Sequence, residues 1–163
     1  SFLFLFSCES KNNEVAIKSF ELMYEAGIST TSNNILGFPD ETRELIFDTI
    51  ELVRKLKSND INAFTFIPYQ GTSLRGLCET KNYLNKDTLA SIYQTDSLLD
   101  MPSISKKEIG GLVKTFPLYA RLPRSYWNDI KIAESNTPEA KKIYDNLIHI
   151  FREQYSNLSL ARD

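Results

Sequence analysis

Hydrophobic positions recur at helical spacing early in the chain, then give way twice to strand-like runs. From about residue 14 to residue 26, Ala16, Phe20 and Met23 recur with Ile17 and Tyr24 beside them, which predicts a helix. Asn12 or Asn13 can cap its start. Gly27 marks its end, because glycine takes the left-handed conformation without a Cβ penalty. The β-branched stretch from Ile28 to Leu36 reads as a strand, broken by Gly37, Phe38, Pro39 and Asp40. A second helix is expected from about residue 42 to residue 56. Ile46, Ile50, Val53 and Leu56 form its apolar stripe, while Glu51, Arg54 and Lys55 face water. After a turn at Ser58, Asn59 and Asp60, the chain from Ile61 to Ile67 is apolar on nearly both faces. Pro68, which cannot donate to a ladder, ends that strand.

Strand, helix and strand at this spacing predict a βαβ unit at about residues 28–67, with parallel strands and a right-handed crossover. A strand apolar on both faces fits a parallel sheet covered by helices. The helix ahead of the first strand implies a further strand before it. The run Phe2, Leu3, Phe4, Leu5, Phe6 suits that place; left uncovered, it would be a sticky end.

The second half loses the β pattern. Short helices are expected at about residues 73–80 and 87–93, followed by an irregular stretch around Pro102. Ser105 and Glu108 form a capping box that opens a helix, which Pro117 is expected to kink or end. A short helix follows Pro123 and Arg124 and runs through Ala133. Thr137, Pro138 and Glu139 start the last helix, which runs to about Tyr155 with Ile143, Leu147, Ile150 and Phe151 as its stripe. The expected division is residues 1–80 for the α/β part and residues 81–163 for a helical tail.

Composition narrows the chemistry. The chain has 163 residues, 42% hydrophobic and 25% charged, which is a globular balance. A net charge of −2 makes no overall electrostatic case for nucleic acid or an anionic membrane, and leaves a local basic patch open. The apolar start is too short to span a bilayer and lacks a basic flank, so neither a transmembrane segment nor a signal peptide is expected. Two cysteines, Cys8 and Cys78, cannot build a zinc ribbon or a disulfide framework, and they suit unpaired thiols in a reducing cytoplasm. The single histidine, His149, lies within the last helix and reads as structural. Gly110 and Gly111, inside a predicted helix, mark close packing or a kink rather than a phosphate cradle.

In parallel α/β structures, ligands sit at the carboxyl ends of strands. Two such ends are written here: Ile35, Leu36, Gly37, Phe38, Pro39, Asp40, Glu41, Thr42, and Phe66, Ile67, Pro68, Tyr69, Gln70, Gly71, Thr72, Ser73, Leu74. Both place glycine and proline after a strand, where restricted backbone can approach a ligand; both also suit ordinary βα turns. Tyr69 is either a packed aromatic or a ring for a planar ligand to stack on.

Together these segments resemble the C-terminal half of a radical S-adenosylmethionine enzyme of the cobalamin-binding-domain group. Its members carry "GLPGET" and "PYPGTxL" at these places. Asp40 stands where that pattern has glycine, and Gln70 where it has proline. The segment from Thr115 to Pro123 is similar to the group's helical tail, and the resemblance spans about residues 12–133. It implies part of a (β/α) TIM-type barrel, with Ile35, Gly37, Pro39 and Glu41, and more loosely Ile67, Pro68 and Tyr69, holding the adenosine of S-adenosylmethionine. It implies a [4Fe-4S] cluster and, in some members, cobalamin. The family's CxxxCxxC cluster motif is not in this sequence, nor is its GGE-type loop, so no catalytic or metal-ligating residue is expected here. The expected partner is the N-terminal barrel half, with an unknown small-molecule or peptide substrate. The alternative is a noncatalytic interaction module, its βαβ piece a scaffold for a partner-binding tail.

Overall fold

In a computed structural model, which describes residues 10–91 and 94–160, six α-helices accompany a two-stranded parallel sheet. Helix α1 (Ser10–Glu25) contains Asn12 and Asn13 rather than starting at them. A cap preference is a small local term, and burial of Ala16 and Phe20 carries the helix. Its end is as expected: Gly27 has φ +72, Ile28 N donates to Met23 O at 2.9 Å and Gly27 N to Tyr24 O at 3.1 Å. That pairing satisfies carbonyls the helix would otherwise leave open.

Strand β1 (Thr31–Leu36) starts three residues later than the β-branched run implies, and Ile28 is 53% exposed in the connection. Its start is set by Asn59, whose side chain accepts from Thr30 N at 2.9 Å while its own N–H donates to Thr30 O at 2.9 Å. Helix α2 (Arg43–Lys55) is capped by the Thr42 side chain and buries Ile46, Ile50 and Val53. Strand β2 (Asp60–Thr65) returns parallel to β1, pairing Thr31 with Asp60 and Leu36 with Thr65. The βαβ unit is therefore present.

The two faces of this sheet differ, and this corrects one expectation. Ser32, Asn34 and Leu36 are buried, in register with half-buried Ile61, Ala63 and Thr65. The opposite face carries Asn33, Ile35, Asn62 and Phe64, and Phe64 is 52% exposed. β2 is thus covered on one face only among the described residues. Its apolar sequence anticipates a second cover that no described element supplies.

Helix α3 (Ser73–Thr80) matches its expected span. The helix expected at residues 87–93 does not form: residues 87–91 are turn and irregular chain, and residues 92 and 93 lie outside the described residues. Two contacts divert the backbone. The Asn85 side chain accepts from Asp87 N at 3.0 Å, and Arg75 Nη2 claims the carbonyls of Lys86 and Thr88 at 2.9 and 3.0 Å. Those contacts favour a turn over helical pairing.

Helix α4 (Lys106–Arg121) opens with the predicted capping box and packs against α2 and β2. It continues four residues past Pro117, which therefore does not end it. Buried Phe116, Leu118, Tyr119 and Ala120 hold this stretch in place. A 3₁₀ turn (Arg124–Tyr126) leads into α5 (Trp127–Ala133), and α6 (Pro138–Leu160) starts at the expected proline. None of the described helices is long and apolar enough to cross a membrane. One apolar cluster runs from Phe20 through Leu36, Ile50, Leu112 and Phe116 to Leu147, joining the sheet to the tail.

Polar contacts reinforce that junction. Arg43 forks onto Glu134 at 2.9 and 2.6 Å, and Tyr119 Oη donates to Glu134 at 2.6 Å. Burial alone would raise the Glu134 carboxyl, but the Arg43 and Tyr119 hydrogen bonds hold it below the ordinary range. Arg54 Nη1 donates to the carbonyls of Tyr119 and Leu122 at the end of α4, groups with no partner inside that helix. Gly111 is needed for close approach, since a Cβ there would lie 2.8 Å from the Glu134 carbonyl oxygen. That bears out the packing role expected of this glycine.

Candidate functional site

The register that pairs Leu36 with Thr65 places the loops after β1 and β2 at the same end of the sheet. The first loop turns through Gly37 at φ +88 and Asp40 at φ +65. Gly37 is doubly constrained: its φ suits glycine, and an added Cβ would meet Ile109 of α4 at 3.1 Å. Glu41 braces the loop from within. Its Oε2 accepts from Gly37 N at 2.5 Å and from Phe38 N at 3.3 Å. Burial raises the Glu41 carboxyl above its ordinary value, and the two amides pull partly against that.

Asp40 holds the turn of this loop in two ways. Aspartate tolerates the left-handed region better than most residues, which suits its φ of +65. Its carboxylate also makes a bond glycine cannot: it accepts from Lys81 Nζ, and from Tyr83 Oη at 2.8 Å. The Lys81 and Tyr83 hydrogen bonds hold this exposed carboxyl below its ordinary value. The first loop is thereby tied to the chain that follows α3.

The second loop is built around Arg75, which is 5% exposed. Its guanidinium donates to Pro68 O at 3.2 Å, to Lys86 O and Thr88 O, and to Glu79 at 2.7 Å. Pro68 is buried beneath this network. Gly71 turns the loop at φ +79, and Thr72 caps α3. Tyr69 is 46% exposed. Phe38 of the first loop stacks against Phe66 at the end of β2, with ring centroids 4.7 Å apart.

The seven residues singled out from sequence therefore fall into two groups. Gly37, Glu41 and Pro68 are spent on holding the loops themselves. Ile35, Pro39, Ile67 and Tyr69 retain accessible surface beside them. The sequence reading passed over Asn33 and Asn62, which share the open sheet face and are joined by Asn62 Nδ2 donating to Asn33 Oδ1 at 3.1 Å. Strand alternation from Ile35 and Phe64 would have located both. It also passed over Arg75, whose four-residue spacing to Glu79 was the available signal.

The open face thus carries the side-chain amides of Asn33 and Asn62 with Ile35 and Phe64 as its apolar positions, and the exposed Tyr69 ring lies in the loop that follows β2. That donor set suits an uncharged planar group with hydrogen-bonding edges, such as a nucleobase. It does not suit an iron–sulfur cluster. Cys78 is a buried free thiol with its titration pushed up by burial, and no group of three metal-ligating side chains occurs among the described residues. His149 points outward with its side chain 70% exposed, beside Glu153. No family model, curated protein or solved structure matches this chain.

Proposed function

We propose that this chain is part of a radical S-adenosylmethionine enzyme and supplies one wall of its barrel, including a surface for the adenosine portion of the cofactor. The observation that carries the reading is the pairing of two glycine- and proline-bearing loops at one end of a parallel βαβ unit, beside an open face bearing Asn33, Ile35, Asn62 and Phe64. In this reading Ile35 and Tyr69 touch the adenosine. Gly37, Pro39, Glu41, Ile67 and Pro68 set the loop shapes that present them. The whole enzyme's reductive cleavage of S-adenosylmethionine, or its methyl transfer through cobalamin, depends on a cluster whose three thiolates are not in this chain. The chain alone performs neither reaction, and a reducing cytoplasm is the compartment that suits it.

Titration of the isotopically labelled chain with 5′-deoxyadenosine tests this directly. The amides of Ile35, Gly37, Glu41, Ile67 and Tyr69 should shift while those of α6 stay fixed. Shifts elsewhere only, or none, would sink the adenosine role. Reconstitution with iron, sulfide and reductant should yield neither a cluster spectrum nor 5′-deoxyadenosine from S-adenosylmethionine; either product would show that the chain needs no complement.

The interaction-module reading draws on a different observation: Val15 and Leu22 of α1 are 63% and 56% exposed. Light scattering on the eluted chain separates the two. Adenosine-independent association with another protein through α1 favours the module, whereas a monomer that binds the nucleoside favours the barrel wall.

A further inference from the structure

Asn33 and Asn62 are partners in the parallel register, so their side chains leave the sheet at the same level of the open face. Asn33 is half-buried and Asn62 is exposed. Asn62 Nδ2 donates to Asn33 Oδ1 at 3.1 Å. That bond sets what each amide has left to offer. A carboxamide carries two N–H donors on its nitrogen and two acceptor sites on its oxygen. With Asn33 Oδ1 engaged, Asn33 offers Nδ2 as a donor. With Asn62 Nδ2 engaged, Asn62 offers Oδ1 as an acceptor. Neither of these two atoms has a hydrogen-bond partner among the described residues.

Neighbouring rows define the rest of the platform. Ile35 and Phe64 are the next paired positions toward the loops, two residues and roughly 7 Å along each strand. Thr31 and Asp60 form the row on the other side, and Asp60 is the only charged residue in either strand. The face thus runs from an apolar row below the loops to an amide row and then to a carboxylate. Asp60 disfavours an anionic group at this end of the face. A neutral edge that sets one acceptor beside one N–H donor matches the two open amide atoms. Adenine has such an edge: N1 accepts and the N6 amine donates, both on the side of the ring away from the ribose. A base resting on Ile35 and Phe64 with its ribose toward the loops points this edge at the asparagine row.

We infer that Asn33 and Asn62 together read the Watson–Crick edge of adenine, with Asn33 Nδ2 donating to N1 and Asn62 Oδ1 accepting from the N6 amine. Asparagine amides pair with adenine in the same donor-plus-acceptor sense when proteins read DNA bases. The assignment rests on the open face being an adenosine surface, and it goes further by naming the two side chains that select the base. A purine without the N6 amine leaves Asn62 Oδ1 facing a C–H, so the acceptor goes unpaired.

Titration of the full chain with adenosine and with purine riboside, which lacks only the N6 amine, tests the pair by NMR. Backbone amide shifts at Ile35, Gly37 and Tyr69 report occupancy of the face, and the side-chain NH2 signals of Asn33 and Asn62 report contact with the base. Purine riboside should bind roughly tenfold more weakly than adenosine, the effect of one lost hydrogen bond. Asn62→Ala removes the acceptor and should bring the two nucleosides within about twofold of each other, by weakening adenosine. Asn62 is exposed, so this truncation spares the core, and unchanged α4 amides verify the fold of the variant. Equal affinities in the unaltered chain, with the backbone amides still shifting, overturn the base-reading role and leave the adenosine surface standing. A preference for adenosine that survives Asn62→Ala overturns it as well. If neither nucleoside shifts the face, the adenosine surface itself fails and this assignment falls with it.

Discussion

The two faces of the sheet teach opposite lessons. Toward α2 and α4, every level of interaction agrees: Leu36 is buried with Ile46 and Ile109, Arg43 and Tyr119 converge on Glu134, and Arg54 closes the end of α4. Toward the open side, apolar Phe64 meets water and the asparagines bond to each other. The same two strands thus display one finished and one unfinished interface. The difference identifies where further covering must come from, since the finished side leaves no room.

Matched substitutions test the contrast, beginning with the largest effect. Leu36→Ala should cost about 3 kcal/mol, because it deletes a fully buried side chain. Phe64→Ala, although it removes more atoms, should cost less than about 1 kcal/mol, because half of that ring is already in water. Chemical denaturation of the two variants measures both, and equal losses would mean that the open face is covered in solution.

Arg43→Met should cost roughly 3 kcal/mol, since it leaves the Glu134 carboxylate buried without its forked partner. The same pair sets a pH dependence. Glu134 has a lowered carboxyl in the folded chain, so its contribution is present above the ordinary value of 4.5 and is lost as pH falls through the lower folded value. Stability measured against pH should therefore fall on the acid side in the unaltered chain, and that fall should shrink in Arg43→Met.

The adjacent glycines of α4 give a smaller and oppositely signed pair. Gly111→Ala should destabilise by about 2 kcal/mol through the clash with the Glu134 backbone. Gly110→Ala meets open space and should stabilise by about 0.5–1 kcal/mol, the ordinary gain of alanine over glycine in a helix. Thermal melts of the two variants should move in opposite directions.

Asp40→Gly should change stability least of these variants, because its bonds to Lys81 and Tyr83 are exposed. Its effect should appear instead as faster amide exchange at Phe38 and Glu41, where the tie to the chain after α3 is released.

Local signals in the sequence located most elements. The α2 stripe, the Gly27 terminus, the Ser105 capping box and the Pro138 start all rest on contacts within a few residues, so spacing alone reveals them. The misplaced helix at residues 87–93 failed because Arg75, from another element, takes the carbonyls of Lys86 and Thr88. Of the site, the loop glycines and prolines were legible as strand breakers. That Glu41 turns inward and Pro68 is buried was not, since both depend on how the loop folds back. The Arg43–Glu134 pair, 91 residues apart, has no local signature at all.

The apolar cluster that runs from Phe20 to Leu147 carries a consequence for synthesis. A growing chain that has released β1, α2 and β2 still lacks α4, which packs on β2, and Leu147, which completes the core. Residues emerge at roughly 5–20 per second, so the βαβ unit spends several seconds exposed before its cover arrives. During that interval, both the uncharged edge of β1 and the apolar side of Leu36 are open to other nascent chains. Aggregation during expression should therefore track how quickly the tail is made rather than how stable the finished protein is.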